Sequence, residues 1–221
     1  MKYIIRMVPE REWYVCKYML PEMHKQGIDF DDIFVYTDTE HKGCLDSFKT
    51  VCEMCNYDSG AWYLQDDIIF SHDFKVVTER FIKPVGYYDV VCGFCSCYDE
   101  HPRHMGELDN LYDMWYSFPC IYISNEYAKE FLVWLERNEK VYLAWTETGK
   151  HDDLLFRSFV LNRPRARVYN LMPNIVDHVD KYVGGSIVNS TRKEKDVKSL
   201  YFNEDRRKQE IEKICRLLPN G

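Results

Sequence analysis

Long hydrophobic runs are missing from this sequence, and with them a membrane span. No apolar stretch approaches the roughly 18 residues needed to cross a bilayer, and the opening Met1-Lys2-Tyr3-Ile4-Ile5-Arg6 meets a charge before a signal-peptide core forms. Glycine and proline are scarce too, 10 and 8 in 221 residues, whereas aromatics make up 15%. With aromatics and branched aliphatics recurring along the whole length, low-complexity disorder is excluded. Basic residues are in deficit: 29 Lys+Arg against 36 Asp+Glu leave a formal charge of −7 and a pI near 5.5. A general nucleic-acid binder takes its affinity from a basic surface, so the deficit argues against that class while leaving room for a local basic stripe. The expectation is a cytoplasmic, soluble protein the size of one domain, with no membrane insertion.

Cysteine is not scarce. There are nine, an odd number without a secretion signal, which argues for reduced thiols over a disulfide framework. Cys52/Cys55 and Cys92/Cys95 have the C-x₂-C spacing of zinc ligands, but the spacer between the pairs is much longer than that of a zinc ribbon. Cys92 also falls in the strand-like Val90-Val91-Cys92-Gly93-Phe94, and Cys52 lies in a helical pattern beside Phe48 and Val51. Core cysteine is the leading reading, and a non-catalytic zinc or nucleotide-binding module is the alternative.

The pattern alternates. Tyr3-Ile4-Ile5-Arg6-Met7-Val8 reads as a buried strand stopped by Pro9, and Trp13, Val15, Cys16, Met19 and Leu20 recur at helical spacing before Gly27. Ile33-Phe34-Val35-Tyr36 is a second strand, Leu45 to Cys55 a second helix, and Gly60-Ala61-Trp62-Tyr63-Leu64 a third strand. Strand, helix, strand, helix, strand implies α/β architecture: a mostly parallel central sheet with right-handed crossovers and helices on its faces. Further on, a helix over Asp73–Phe81, strands over Tyr88–Cys95 and Phe118–Ile123, and a helix over Asn125–Arg137 capped by Ser124 continue the pattern. Residues 98–117 read as a loop or short helix, 154 onward as a helix, Arg167–Leu171 as a strand and the charged end as a terminal helix. Residues 1–190 form the expected main domain, with 191–221 a charged helical tail packed on it.

Ligands of such sheets collect beyond the carboxyl ends of the strands. Pro9-Glu10-Arg11, Thr37-Asp38 and Asp66-Asp67 end three strands and converge on one rim. Adjacent acids after a buried strand call for a partner, and Mg²⁺ or Mn²⁺, with their preference for oxygen ligands, are suitable. A solvated turn that caps the next element is the plain alternative.

Leu64-Gln65-Asp66-Asp67-Ile68 resembles the acidic motif of GT-A nucleotide-sugar glycosyltransferases, in particular small bacterial and phage enzymes related to lipopolysaccharide-type transferases. Met7-Val8-Pro9-Glu10-Arg11, Tyr36-Thr37-Asp38, Ile121-Tyr122-Ile123-Ser124, and Met172-Pro173-Asn174-Ile175-Val176-Asp177-His178 followed by Gly184-Gly185-Ser186 support it, over residues 3 to about 189. The resemblance implies a single Rossmann-like GT-A domain that moves a sugar from a nucleotide donor, foremost a UDP-sugar, to an acceptor hydroxyl on a glycan, a small molecule or a hydroxymethylated DNA base. It places Asp67 and His178 on Mn²⁺ or Mg²⁺. It places Pro9, Arg11, Thr37, Asp38, Gln65, Asp66, Gly185 and Ser186 around the donor, although Gln65 stands where the family usually has an acid. Asp153, with Asp152 beside it, occupies the place of the catalytic base in inverting members.

Each assignment has a plain competitor. Asp152 and Asp153 are good N-caps, and His178 in an apolar run is by default a hydrogen-bonded structural residue. Trp115, Tyr116 and Trp145 suit a sugar platform or the core. Lys193, Lys195, Lys198, Arg206, Arg207 and Lys208 suit a phosphate-tracking stripe or a solvated helix face.

Overall fold

A computed structural model describes residues 1–54, 60–82, 86, 89–94, 119–145, 151–163, 167–171, 173–185, 199 and 202–218. Eight strands are described: β1 (Lys2–Met7), β2 (Ile33–Thr37), β3 (Ala61–Gln65), β4 (Ile68–Phe70), β5 (Asp89–Cys92), β6 (Cys120–Ile123), β7 (Arg167–Asn170) and β8 (Val176–His178). The helices are α1 (Glu12–Tyr14), α2 (Leu20–Lys25), α3 (Cys44–Met54), α4 (Phe74–Ile82), α5 (Asn125–Trp145), α6 (Asp152–Leu161) and α7 (Glu204–Leu217).

Six strands form the central sheet in the order β2-β1-β3-β6-β5-β7. It is mostly parallel, as the alternation predicts, with one departure: β6 runs antiparallel to both β3 and β5. β4 and β8 pair antiparallel in a separate two-stranded ribbon. β4 is too short for its periodicity to be read from sequence.

Alternate side chains sort the core into two layers. Tyr3, Ile5, Trp62, Leu64 and Tyr122 face the helices built from residues 12–25 together with α4 and α7, while Ile4, Tyr63, Ile121 and Ile123 face α3, α5 and α6. Phe48, Phe131, Phe156 and Phe159 are fully buried in the second layer, with ring centroids 5.0–5.8 Å apart in five pairs. Cys52 and Cys92 pack in that same apolar layer, as core cysteines do. Their would-be zinc partners Cys55 and Cys95 lie outside the described residues, as do residues 98–117 with Trp115 and Tyr116, and the lysines at 193, 195 and 198.

Ser124 caps α5 through a 3.1 Å bond from Tyr127 N–H, and this helix runs eight residues beyond the predicted end. The first helical segment is interrupted by a π turn at Val15–Met19, closed by Leu20 N–H donating to Val15 C=O. Pro21 is the cause: it has no N–H, and its ring clashes with the carbonyl four residues back, which a widened turn relieves.

Arg206 and Arg207 do not form a solvated stripe. Both are buried, Arg206 against Glu22 and Glu210, Arg207 against Asp177, and they fasten α7 to the body.

Gly60 enters β3 with φ +101°, and a Cβ there would lie 2.4 Å from Ile123 O and 2.7 Å from Ser124 Cα. Both obstacles are backbone. Gly60→Ala should cost roughly 3 kcal/mol of stability in urea unfolding, combining left-handed strain with overpacking; a loss below about 1 kcal/mol would show that β3 and β6 do not approach this closely.

Candidate functional site

The strand order reverses about β1: the chain crosses from β1 to β2 on one side and returns to β3 on the other. At such a switch point the loops after the strands part and leave a crevice. Register places Met7 opposite Thr37, and Arg6 opposite both Tyr36 and Gln65, so the three strands end at one rim. Asp66 and Asp67 form the two-residue turn from β3 into β4. The pairing of Ile68 with His178 then sets that histidine beside the turn.

Arg11 holds the site together. The loop after β1 winds at once into a short 3₁₀ turn, Pro9–Arg11, which aims the Arg11 side chain inward. Its Nη1 donates to Asp66 Oδ1 at 2.6 Å and to Asp67 Oδ2 at 2.5 Å, and its Nη2 donates to Gly185 C=O at 2.8 Å. Val8 N–H donates to the other Asp66 oxygen at 2.8 Å. On the far side, His178 Nε2 lies 3.2 Å from Asp67 Oδ1 and its Nδ1 lies 3.4 Å from Asp180 Oδ1. Val179 N–H donates to Asp67 C=O, closing the second ribbon over the turn.

The electrostatics follow from burial and neighbours. Burial raises the pKa of Asp67, but His178 and Arg11 outweigh it and hold the carboxyl well below the usual range. Burial disfavours the His178 imidazolium, yet Asp67 and Asp180 override it and lift its pKa to about 10. Asp66 goes the other way: burial, with Asp67 close by, pushes its pKa up against the pull of Arg11.

A divalent cation fits part of this arrangement. Asp67 Oδ1 is buried and accepts no hydrogen bond of good geometry among the described residues, and it faces the His178 nitrogen across 3.2 Å. Two neighbouring ligands of one octahedral ion, each about 2.1 Å from it, lie about 3 Å apart. No group of three or more His, Cys, Asp or Glu is arranged for a metal among the described residues, so water and phosphate oxygens would complete the shell.

The other predicted residues divide. Pro9 begins the Arg11 turn, Gln65 sits half-buried at the end of β3, and Gly185 contributes its carbonyl. Thr37 ends β2 at the same rim. Asp38 is turned to loop building: it accepts from Lys42 N–H, Gly43 N–H and Ser47 Oγ, which outweigh burial and lower its pKa. Asp152 is likewise engaged, in a 2.7 Å buried pair with Arg6. Asp153, half-buried in the first turn of α6, accepts from Leu154 N–H. Ser186 lies outside the described residues.

Sequence reasoning missed the roles of Arg6, Asp177 and Asp180, and read Arg207 as part of a phosphate-tracking stripe or a solvated face. Arg6 carried a signal, since a charge inside an otherwise apolar strand needs a buried partner. Asp177 and Asp180 flank His178 closely enough to have been weighed with it.

No family model and no curated protein matches the chain. Among solved structures, the viral protein A197 from STIV is 17% identical, with 80% of this chain and 85% of that one covered at a TM-score of 0.46. A candidate glucose-1-phosphate thymidylyltransferase from Bacillus anthracis, crystallised with sucrose, is 9% identical over 100% of this chain and 97% of that one, with a TM-score of 0.48. Likenesses at this level carry no conclusion about activity.

Removing Arg11 strands two buried carboxylates. Arg11→Met should lower stability by roughly 3–5 kcal/mol in urea titration. The pH dependence has a defined sign. The folded pKa of His178, about 10, is above its ordinary 6.5, so its stabilisation is complete below pH 6.5 and is lost as the pH rises toward 10. In chelator-treated protein the wild type should therefore weaken over that window more steeply than His178→Gln; parallel pH profiles would show that His178 is not held as a cation.

Proposed function

We propose that this protein transfers a sugar from a nucleoside-diphosphate sugar to an acceptor hydroxyl. One observation carries the reading: at the switch point of a mostly parallel sheet, an aspartate pair, an arginine from the loop after β1 and a histidine from a distant strand meet in one buried cluster. The resemblance in the acidic turn and in the segment ending at His178 adds the substrate class.

Asp67 and His178 are the residues that would hold Mn²⁺ or Mg²⁺. When bound, such an ion supplies Lewis-acid stabilisation of the charge that develops on the leaving diphosphate. The chain's own residues do the rest. Arg11 fixes both acids and so keeps the Asp67 Oδ1 edge turned toward His178. Asp66, tied to Val8 N–H, holds the β1 loop at the crevice where the nucleotide would lie. Asp153 is the proposed base that takes the acceptor's proton, and the Arg6–Asp152 pair anchors the α6 terminus that carries it. Within residues 98–117 and 145–153, or in the tail, would lie the selection of the acceptor, whether glycan, small molecule or modified DNA base.

The zinc-module alternative is weakened by the apolar setting of Cys52 and Cys92.

The test is thermal stabilisation by a panel of nucleotide sugars, UDP-sugars first, with and without Mn²⁺. Stabilisation should depend on Mn²⁺ and vanish in Asp67→Ala. Once a donor is found, Asp153→Asn should retain binding and lose about 10²–10⁴-fold in turnover. No stabilisation by any donor would overturn the reading, and near-normal turnover would remove Asp153 from it.

A further inference from the structure

We propose that Arg207, on the C-terminal helix, is a positioning residue for the site: through its buried pair with Asp177 it seats the strand that presents His178 to Asp67. The functional consequence rests on the nucleotide-sugar reading; the seating itself does not.

The strand is held by core packing of Ile175, Val176 and Val179 and by the Ile175 and Val176 N–H groups donating to Gly93 C=O, and its polar side chains need their own partners. β8 is three residues long and pairs with β4, also three residues long, so few ladder bonds fix its position. Its front is occupied with the site: His178 faces Asp67, Val179 N–H donates to Asp67 C=O, and Gly185 C=O accepts from Arg11. At its back lies the Arg207 side chain of α7. Arg207 Nε donates to Asp177 Oδ2 at 2.6 Å, its Nη2 approaches His178 C=O at 3.5 Å, and its guanidinium lies 5.9 Å from the Tyr182 ring centroid. Arg207 therefore touches three successive points of the segment whose other side forms the site.

Asp177 makes the grip obligatory. Its side chain has no exposed surface, and its second oxygen accepts from Ser199 N–H at 2.6 Å and His178 N–H at 2.9 Å. Arg207 is the cation that the described residues set against this carboxylate, and truncating it removes that charge compensation directly beside His178. The strand would then shift or open toward water. Residues behind a metal ligand commonly control its affinity in this way.

The same helix offers a control. Arg206 is as deeply buried, but it pairs with Glu22 and Glu210 and reaches the ribbon only through Phe70 C=O of β4, without a bond to Asp177 or His178. Losing either arginine removes a buried ion pair of α7; only losing Arg207 removes the pair made by β8 itself, at Asp177.

The experiment compares full-length wild type, Arg207→Gln, Arg207→Lys and Arg206→Gln below their unfolding temperatures. Two quantities are measured: hydrogen exchange over residues 174–185, and affinity for UDP with Mn²⁺. Arg207→Gln should speed exchange in that segment and weaken Mn²⁺·UDP binding, each by about 10-fold or more, with Arg206→Gln within about 3-fold of wild type. Arg207→Lys keeps the charge without the planar fork and should fall between, which also serves if the glutamine variant does not fold. Equal exchange in the Arg206 and Arg207 variants overturns the seating. Faster exchange with unchanged Mn²⁺·UDP affinity overturns its functional consequence. Wild-type protein that binds no Mn²⁺·UDP refutes the nucleotide-sugar reading instead, and the exchange data then decide the seating alone.

Discussion

Two adjacent carboxylates in a two-residue turn, each about 6% exposed, impose the central constraint on this protein. They cannot be buried together without cations, because both desolvation and mutual repulsion oppose their charge. Arg11 answers most of that demand, and it can do so because Pro9 turns the chain immediately after β1. His178 answers the rest from the other end of the sequence. The rim is thus built from three separated segments whose relative positions depend on one guanidinium and one imidazole.

The same economy recurs behind the rim. Arg6 inside β1 is matched by Asp152 of α6, Asp177 by Arg207 of α7, and Arg206 by Glu22 and Glu210. Except for Arg206–Glu210, which lies within α7, each pair joins elements far apart in the chain, and each is directional where the surrounding apolar contacts are not. Burial of the phenylalanine cluster and of the strand side chains supplies the bulk of the driving force. The ion pairs determine which loops and helix ends meet at the crevice. This division explains how charged site residues lie within or beside both hydrophobic layers, each with an opposite charge at hand.

Much of the architecture was legible in order and spacing. Apolar runs at Tyr3–Val8, Ile33–Tyr36 and Gly60–Leu64, each closed by polar residues, identify the strands that end at the rim, and the helical periodicities between them require a parallel arrangement. Ser124 is readable as a cap because its chemistry is local. The antiparallel direction of β6 is not readable in this way, since a four-residue buried run has the same pattern whichever way it points. The β4–β8 ribbon is invisible for a similar reason: three-residue strands have no measurable period. The basic run at Arg206-Arg207-Lys208 looks like a solvated face, because nothing local announces that Glu22, Glu210 and Asp177 wait for two of its members.

The sequence by itself therefore determined the class of fold, the rim at which three strands end and the acidic turn that stands there, all of which depend on neighbours within a few residues. Only the tertiary structure decided the partners. It gave Arg11 to both aspartates, turned Asp38 to its own loop, committed Asp152 to Arg6 and set Arg207 behind His178. Apart from Asp38, whose partners lie 4 to 9 residues away, those choices arise from contacts between residues 30 or more apart in sequence. A buried charge specifies that a partner must exist, but its identity is settled only by which opposite charge the packed layers bring within reach.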